Sequence, residues 1–168
     1  MTIADAPRGE REPLERVLEE SFTGVYLRHA RRTLDEVDAV RVARRGSGEP
    51  VGLTMLKFLR DGVGYVYYIA VVPAFRRRGM GRRLLQDSLD RLARAGAREV
   101  YATVGEHNVE STALFLGRGF RRTDLGQVSK KYGPLGALSM YRGMWVVPGE
   151  VVMVKDTQTL GDAAATPD

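Results

Sequence analysis

The chain contains no cysteine. Disulfides, thiolate-bound metals and a cysteine nucleophile are therefore excluded at the outset. Histidine is nearly as scarce: His29 and His107 are the only two, far apart, so a zinc site would have to be completed by carboxylates. No apolar stretch approaches membrane-spanning length, and the opening M-T-I-A-D-A-P-R-G-E has no apolar signal core. The expectation is a cytoplasmic protein with no membrane partner and no metal. Internal repeats are lacking too. At 168 residues the chain is long enough for one domain with its own core. That domain is expected over residues 1–155, with 156–168 as a disordered tail, because those residues are small and polar with no apolar face.

Positive charge is not scarce, but it is uneven. The net charge is +5, and Arg76, Arg77, Arg78, Arg82 and Arg83 place five arginines within eight residues. They fall in P-A-F-R-R-R-G-M-G-R-R-L-L, Pro73 to Leu85, between an apolar, β-branched run (Tyr65 to Val72) and a leucine-patterned helix. A helix N-terminus leaves its first N–H groups unpaired, and its dipole disfavours cations there. An anion bound among the arginines removes that conflict, whereas a merely solvated basic face does not. Gly79 and Gly81 lack a Cβ and let such a ligand approach the main chain. The arrangement points to a phosphate-bearing guest. Nucleic acid is set aside, since neither interleaved aromatics nor a recognisable nucleic-acid motif accompanies the basic cluster.

Spelling narrows the guest. No G-x-x-x-x-G-K-[ST] string occurs, and the third glycine of a dinucleotide fingerprint, counted from Gly79, is Leu84. The stretch instead resembles the coenzyme A loop of the Gcn5-related N-acetyltransferase (GNAT) family, [QR]-x-x-G-x-[GA], with Arg76, Gly79 and Gly81 at its fixed positions. The flanking Ile69-Ala70-Val71-Val72-Pro73 and Arg82, Leu84 and Leu85 also match that family's surroundings. A second resemblance follows about thirty residues on. The family pattern N-x-x-A-x-x-x-[YF]-x-x-x-G-F meets Asn108, Ser111, Phe115, Gly119 and Phe120, with Ser in place of Ala. The two motifs together cover Ile69 to Phe120. They imply an α/β fold of the acyl-CoA N-acyltransferase type. Its sheet is mixed and mostly antiparallel, with a central parallel strand pair splayed at the cofactor site and helices on both faces.

Periodicity and punctuation lay out the elements along the chain. Thr2 to Ala4 reads as a short strand, and helices follow from Pro13 and over Val25 to Leu34. Strands are expected over Ala39 to Ala43, Val51 to Leu59 and Gly64 to Val72, the last two joined by an Asp61-Gly62 hairpin turn. Leu84, Leu85, Leu89 and Leu92 mark a helix that Gly96 stops. Arg98 to Val104 is the next strand, expected parallel to the one before the loop because a helix crosses between them. Asn108 caps a short helix through Leu116, and strands follow from Phe120 and over Val151 to Lys155. Gln127 to Pro148, rich in glycine and aromatics with one proline, reads as a long loop, expected either to fold over an acceptor site or to pack on the core or at a dimer interface.

The resemblance implies the rest of the site. Main-chain N–H groups from Arg77 and Arg78 through Gly79, Met80 and Gly81 to Arg82 would hold the pyrophosphate of acetyl-CoA, with Arg76 heading the motif. The pantetheine arm would run beside Ile69, Ala70 and Val71, with an N–H near Val71 facing the thioester oxygen. Asn108 would bond the arm or a water near it, and Phe115 stands where many relatives carry Tyr as the acid for the departing thiolate. Substitute acids are Tyr132 and Tyr141, and candidate bases are Glu106 and His107. The implied function is an acetyl-CoA-dependent N-acetyltransferase acting on a primary amine of a small molecule or protein, directly and through a tetrahedral intermediate. The alternative is a catalytically weak acyl-CoA-binding or sensing module that acts through protein contacts. A monomer or homodimer is expected in either case.

Overall fold

The alternating and leucine-spaced segments become seven strands and five helices in the computed structural model, among the described residues, 1–46 and 48–157. The strands are β1 (Thr2–Asp5), β2 (Ala39–Arg44), β3 (Pro50–Arg60), β4 (Val63–Val71), β5 (Glu99–Gly105), β6 (Arg121–Thr123) and β7 (Glu150–Asp156). The helices are α1 (Arg11–Ser21), α2 (Gly24–Thr33), α3 (Met80–Arg94), α4 (Val109–Leu116) and α5 (Leu125–Met144). The strands form one mixed seven-stranded sheet in the order β1-β2-β3-β4-β5-β7-β6. The chain divides into two compact units, one of Met1–Lys57 with Val66–Arg91, the other of Phe58–Tyr65 with the chain from Leu92.

In the first unit, β1 and β2 pair antiparallel from Thr2↔Arg44 to Asp5↔Arg41, and β2 pairs antiparallel with β3. The amphipathic faces of α1 and α2 supply Leu14, Val17, Leu18 and Ala30 to a core shared with Leu53 and Met55 of β3 and Leu84 of α3. Gly52 permits the tightest approach, since a Cβ there would lie 2.9 Å from the Ala70 carbonyl and 3.0 Å from Leu84. Polar pins fix α3 in place. Arg41, 8% exposed, donates to both oxygens of Asp87 at 2.6 and 2.9 Å and pairs with Asp5 at 2.9 Å. The buried Ser88 hydroxyl donates to the Leu84 carbonyl at 2.7 Å and lies 2.8 Å from Thr54 Oγ1. The helix that carries the arginine-glycine turn is therefore held by apolar burial and by satisfied buried polar groups.

In the second unit, β5 and β7 pair antiparallel without a break from Glu99↔Asp156 to Gly105↔Glu150, and β6 adds to the far side of β7. Tyr65 is fully buried; its hydroxyl donates to the Met144 carbonyl at 3.0 Å and lies 2.8 Å from Thr103 Oγ1. Phe115 and Phe120 meet edge to face at 5.0 Å.

Two expectations need correction. Gln127 to Pro148 is not a loop: α5 occupies most of it, broken at Gly133, whose φ of 73° is non-helical, and resumed at Pro134. Gly133 supplies the left-handed residue that ends the first segment, and Pro134 is a favoured first residue for the second. The other glycines are there for close approach. A Cβ on Gly136 would lie 3.0 Å from Arg60, and one on Gly143 would lie 3.1 Å from Leu59. The tail does not start at Asp156, which ends β7. Thr157 is buried, its hydroxyl donating to the Ala97 carbonyl at 2.6 Å. The rest of the expected tail, 158–168, lies outside the described residues.

Candidate active site

Strand β4 ends at Val71 and Pro73 opens a single 3-10 turn, Pro73–Phe75. Phe75 N–H donates to the Val72 carbonyl at 2.9 Å and Arg76 N–H to that of Pro73 at 3.2 Å. Arg76 then turns its side chain back, Nε donating to the Val71 carbonyl at 2.9 Å. The first motif residue thus fastens the turn to the strand end. Arg77 is left-handed at φ 57° and Gly79 at φ 76°. For an arginine that conformation is uncommon and holds local strain, as functional turns often do. Left-handed residues in such a turn aim successive main-chain N–H groups to one side, which makes an anion-binding concavity.

The Gly79 carbonyl accepts from Arg83 N–H at 3.0 Å, so Met80, Gly81 and Arg82 carry the first-turn donors of α3. A Cβ built on Gly79 meets nothing within 4 Å, so the open side of the turn admits a ligand. Arg76, Arg77, Arg78, Arg82 and Arg83 are all exposed around it, and the first turn of α3 carries no acid. These groups suit a diphosphate: main-chain donors, a helix N-terminus and a cluster of exposed arginines.

A second group lies in the same unit, and the residue patterns gave little sign of it. His29 of α2 sets Nδ1 2.9 Å from the hydroxyl of Tyr68 on β4. The Thr33 hydroxyl donates to the His29 carbonyl at 2.7 Å and lies 3.3 Å from Nδ1. The Tyr67 and Tyr68 rings stack at 5.3 Å, the His29 ring is 5.6 Å from that of Tyr67, and Phe22 sits 5.3 Å from Tyr68. Burial lowers the His29 pKa from its ordinary 6.5, assisted by Arg32 and opposed by Glu36. The usable signal was the His29–Thr33 step of four on one helix face, together with adjacent tyrosines within a strand.

The remaining sequence-predicted residues belong to the second unit. Glu106, His107 and Asn108 share one exposed turn after β5. Asn108 caps α4, its Oδ1 accepting from Ser111 N–H at 3.0 Å. Phe115 is buried against Phe120 and offers no proton. Tyr132 is not brought to Glu106 and His107. Its hydroxyl donates to the buried carboxylate of Glu99, which also accepts from Lys131 at 2.6 Å, while Arg60 stacks 4.8 Å over its ring. Glu99 opens β5 and Gly105 closes it, about 20 Å away along the strand. Burial, and then the Glu99 carboxylate, push the Tyr132 hydroxyl well above the ordinary phenol range. Tyr141 is half-buried and likewise raised, chiefly by burial. It borders a hollow with Arg142, Trp145 and Val146 to Pro148. Among the described residues no group of three His, Asp or Glu side chains is placed to hold a metal ion, and no helix is long and apolar enough to cross a membrane.

Comparison with known proteins bears on the whole arrangement. The family described as Acetyltransferase (GNAT) matches residues 10–120. The N-alpha-acetyltransferase RimI of Mycobacterium tuberculosis is 39% identical over 77 residues, 46% of this chain and 47% of that protein. An uncharacterized protein of Mycobacterium leprae is 40% identical over 76 residues, 45% of this chain and 20% of that protein. The matched stretch thus spans less than half the length of either curated relative. Among solved structures, a GNAT family acetyltransferase from Elizabethkingia anophelis with acetyl-CoA bound superposes with a TM-score of 0.68 at 17% identity, covering 92% of this chain and 97% of that one. At that identity the likeness is one of fold.

Proposed function

Because the chain belongs to the Acetyltransferase (GNAT) family, we propose that it carries the acetyl group of acetyl-CoA directly to a primary amine. The observation that supports this most is the turn from Arg76 to Arg82, with two left-handed residues and a bare helix start amid exposed arginines. Acetyl-CoA, when bound, supplies an activated thioester. The main-chain donors from Arg77 to Arg82 grip its diphosphate, and Ile69, Ala70 and Val71 line its arm. With no cysteine in the chain to carry an acyl-thiol intermediate, direct attack by the amine is the simplest route. Phe115 donates no proton, but a thiolate of pKa near ~8.5 leaves without one. Glu106 and His107, on the exposed turn after β5, are one proposed destination for the acceptor's proton, taken directly or through water. Tyr132 and Tyr141 are assigned to holding α5 in place.

The RimI relative's name makes a peptide α-amine the first acceptor to try. The reading also takes the protein to act in the cytoplasm, without nucleic acid, as a monomer or homodimer. The test is free-thiol release from acetyl-CoA in the presence of N-terminal peptides, lysine peptides, amino acids and polyamines. Thiol release with one of these acceptors supports the enzyme. Tight coenzyme A binding without thiol release across the panel favours the sensing module, the reading that the buried Phe115 supports.

A further inference from the structure

The acetyltransferase reading leaves the acceptor's proton without a destination inside the first unit, where the coenzyme turn sits. The His29–Tyr68 pair provides one. Tyr68 immediately precedes Ile69, Ala70 and Val71, so its backbone lies about 10 Å along β4 from the strand's end at Val71. Successive strand residues ordinarily point to opposite faces. Here the rings of Tyr67 and Tyr68 stack on one another at an interplanar angle of 25°, and both lie close to His29. The Tyr68 hydroxyl is thereby set beside an imidazole from α2.

The His29 nitrogen that meets the phenol is Nδ1. The Thr33 hydroxyl directs its proton to the His29 carbonyl at 2.7 Å and so cannot donate to Nδ1 as well. Nδ1 meets the Tyr68 hydroxyl at 2.9 Å, its shorter contact, and accepts there in the tautomer that carries the ring proton on Nε2. The Tyr67 and Tyr68 rings lie 5.6 and 6.0 Å from this imidazole, Phe22 packs on Tyr68, and Glu36 and Arg32 act on the imidazole electrostatically. Their sum, led by burial, favours the neutral ring. A neutral imidazole whose Nδ1 meets a phenol is a proton acceptor awaiting a donor.

We propose that Tyr68 and His29 form a proton relay for the acceptor amine, Tyr68 Oη meeting the amine and His29 Nδ1 receiving the phenol proton. This rests on the acetyltransferase reading. The incoming ammonium gives one proton to Tyr68 Oη as the Tyr68 proton passes to His29 Nδ1, and the freed nitrogen lone pair attacks the thioester carbon. A C–N bond forms, the C–S bond breaks, and the sulfur takes the bonding pair. The second nitrogen proton goes to that thiolate, and the His29 proton is released to solvent. Tyr68 is the catalytic residue of the pair, and His29 is a positioning and proton-holding residue behind it.

The test compares wild type, His29→Asn, His29→Gln and Tyr68→Phe by coenzyme A calorimetry and by kcat/KM against pH with the best amine. The wild type is expected to lose activity as pH falls, with its acid limb below the free-histidine value of 6.5. Each substitution is expected to lower kcat/KM about 100-fold. The limb should vanish with His29, and the Tyr68→Phe, His29→Asn double variant should be no slower than either single one. Coenzyme A affinity should change less than about twofold. Variants that bind coenzyme A and keep both the wild-type rate and the acid limb overturn the relay alone. A wild type that fails to bind coenzyme A overturns the acetyltransferase reading, and the relay with it.

Discussion

Helices α3 and α5 begin in opposite ways. At α5 the chain answers its own exposed amides: the Asp124 carboxylate accepts from Gln127 N–H at 2.8 Å, and the Gln127 side chain reaches back to the same carboxylate. At α3 the cap position falls on Gly79, which has no side chain, and the first turn reads Met80-Gly81-Arg82-Arg83. Both starts have the same unpaired donors by geometry. One meets them with its own carboxylate, while the other surrounds them with positive charge that the helix dipole opposes. An arrangement that costs stability in the free chain is one that a bound anion relieves. The contrast sets a helix start answered by its own carboxylate beside one proposed to be answered by a ligand.

The sharpest way to break the contrast is to give α3 an anion of its own. Gly79→Glu puts a side chain at φ 76° and a carboxylate where the diphosphate is expected. Coenzyme A affinity should fall at least about 100-fold by calorimetry while circular dichroism stays unchanged. Next in size is Tyr132→Phe, which leaves the buried Glu99 carboxylate without one of its donors. Denaturant unfolding should show a loss of about 1–3 kcal/mol, with kcat at wild-type level. A fall in kcat of about 100-fold or more would instead return Tyr132 to the role of acid. Asp124→Ala should cost about 1 kcal/mol and leave coenzyme A affinity untouched, whereas a change in that affinity would erase the distinction between the two helix starts.

The smallest effect is one of pH. The folded His29 binds its proton more weakly than the unfolded chain does, since its pKa lies below 6.5. Stability is therefore expected to fall as pH drops through that value and to level off below the folded pKa. The melting temperature of His29→Asn should lack that slope.

How far the residues alone reveal this molecule depends on what a glycine is for. At Gly79 a left-handed turn between an apolar strand and a leucine-spaced helix can be read directly, because the main chain itself makes the turn. At Gly136 and Gly143 the same residue type serves close approach to Arg60 and Leu59, which are distant in sequence, so the segment reads as a loop and folds as a helix. Two local signs of α5 were present all the same, the Asp124 and Gln127 capping pair and the spacing of the buried Ala137, Met140 and Met144. The Asn108 to Phe120 motif was recognisable as a pattern, but its residues act locally as a cap and a ring pair. His29 and Tyr68 are separated by 39 positions, and no periodicity brings such partners together on paper.

Trp145 is the chain's single tryptophan, half-buried and left-handed at φ 53° where α5 ends. Its intrinsic fluorescence therefore reports from one known spot, with no second indole to confuse the signal. A quench or blue shift on adding coenzyme A would be a label-free readout that binding is felt at the end of α5.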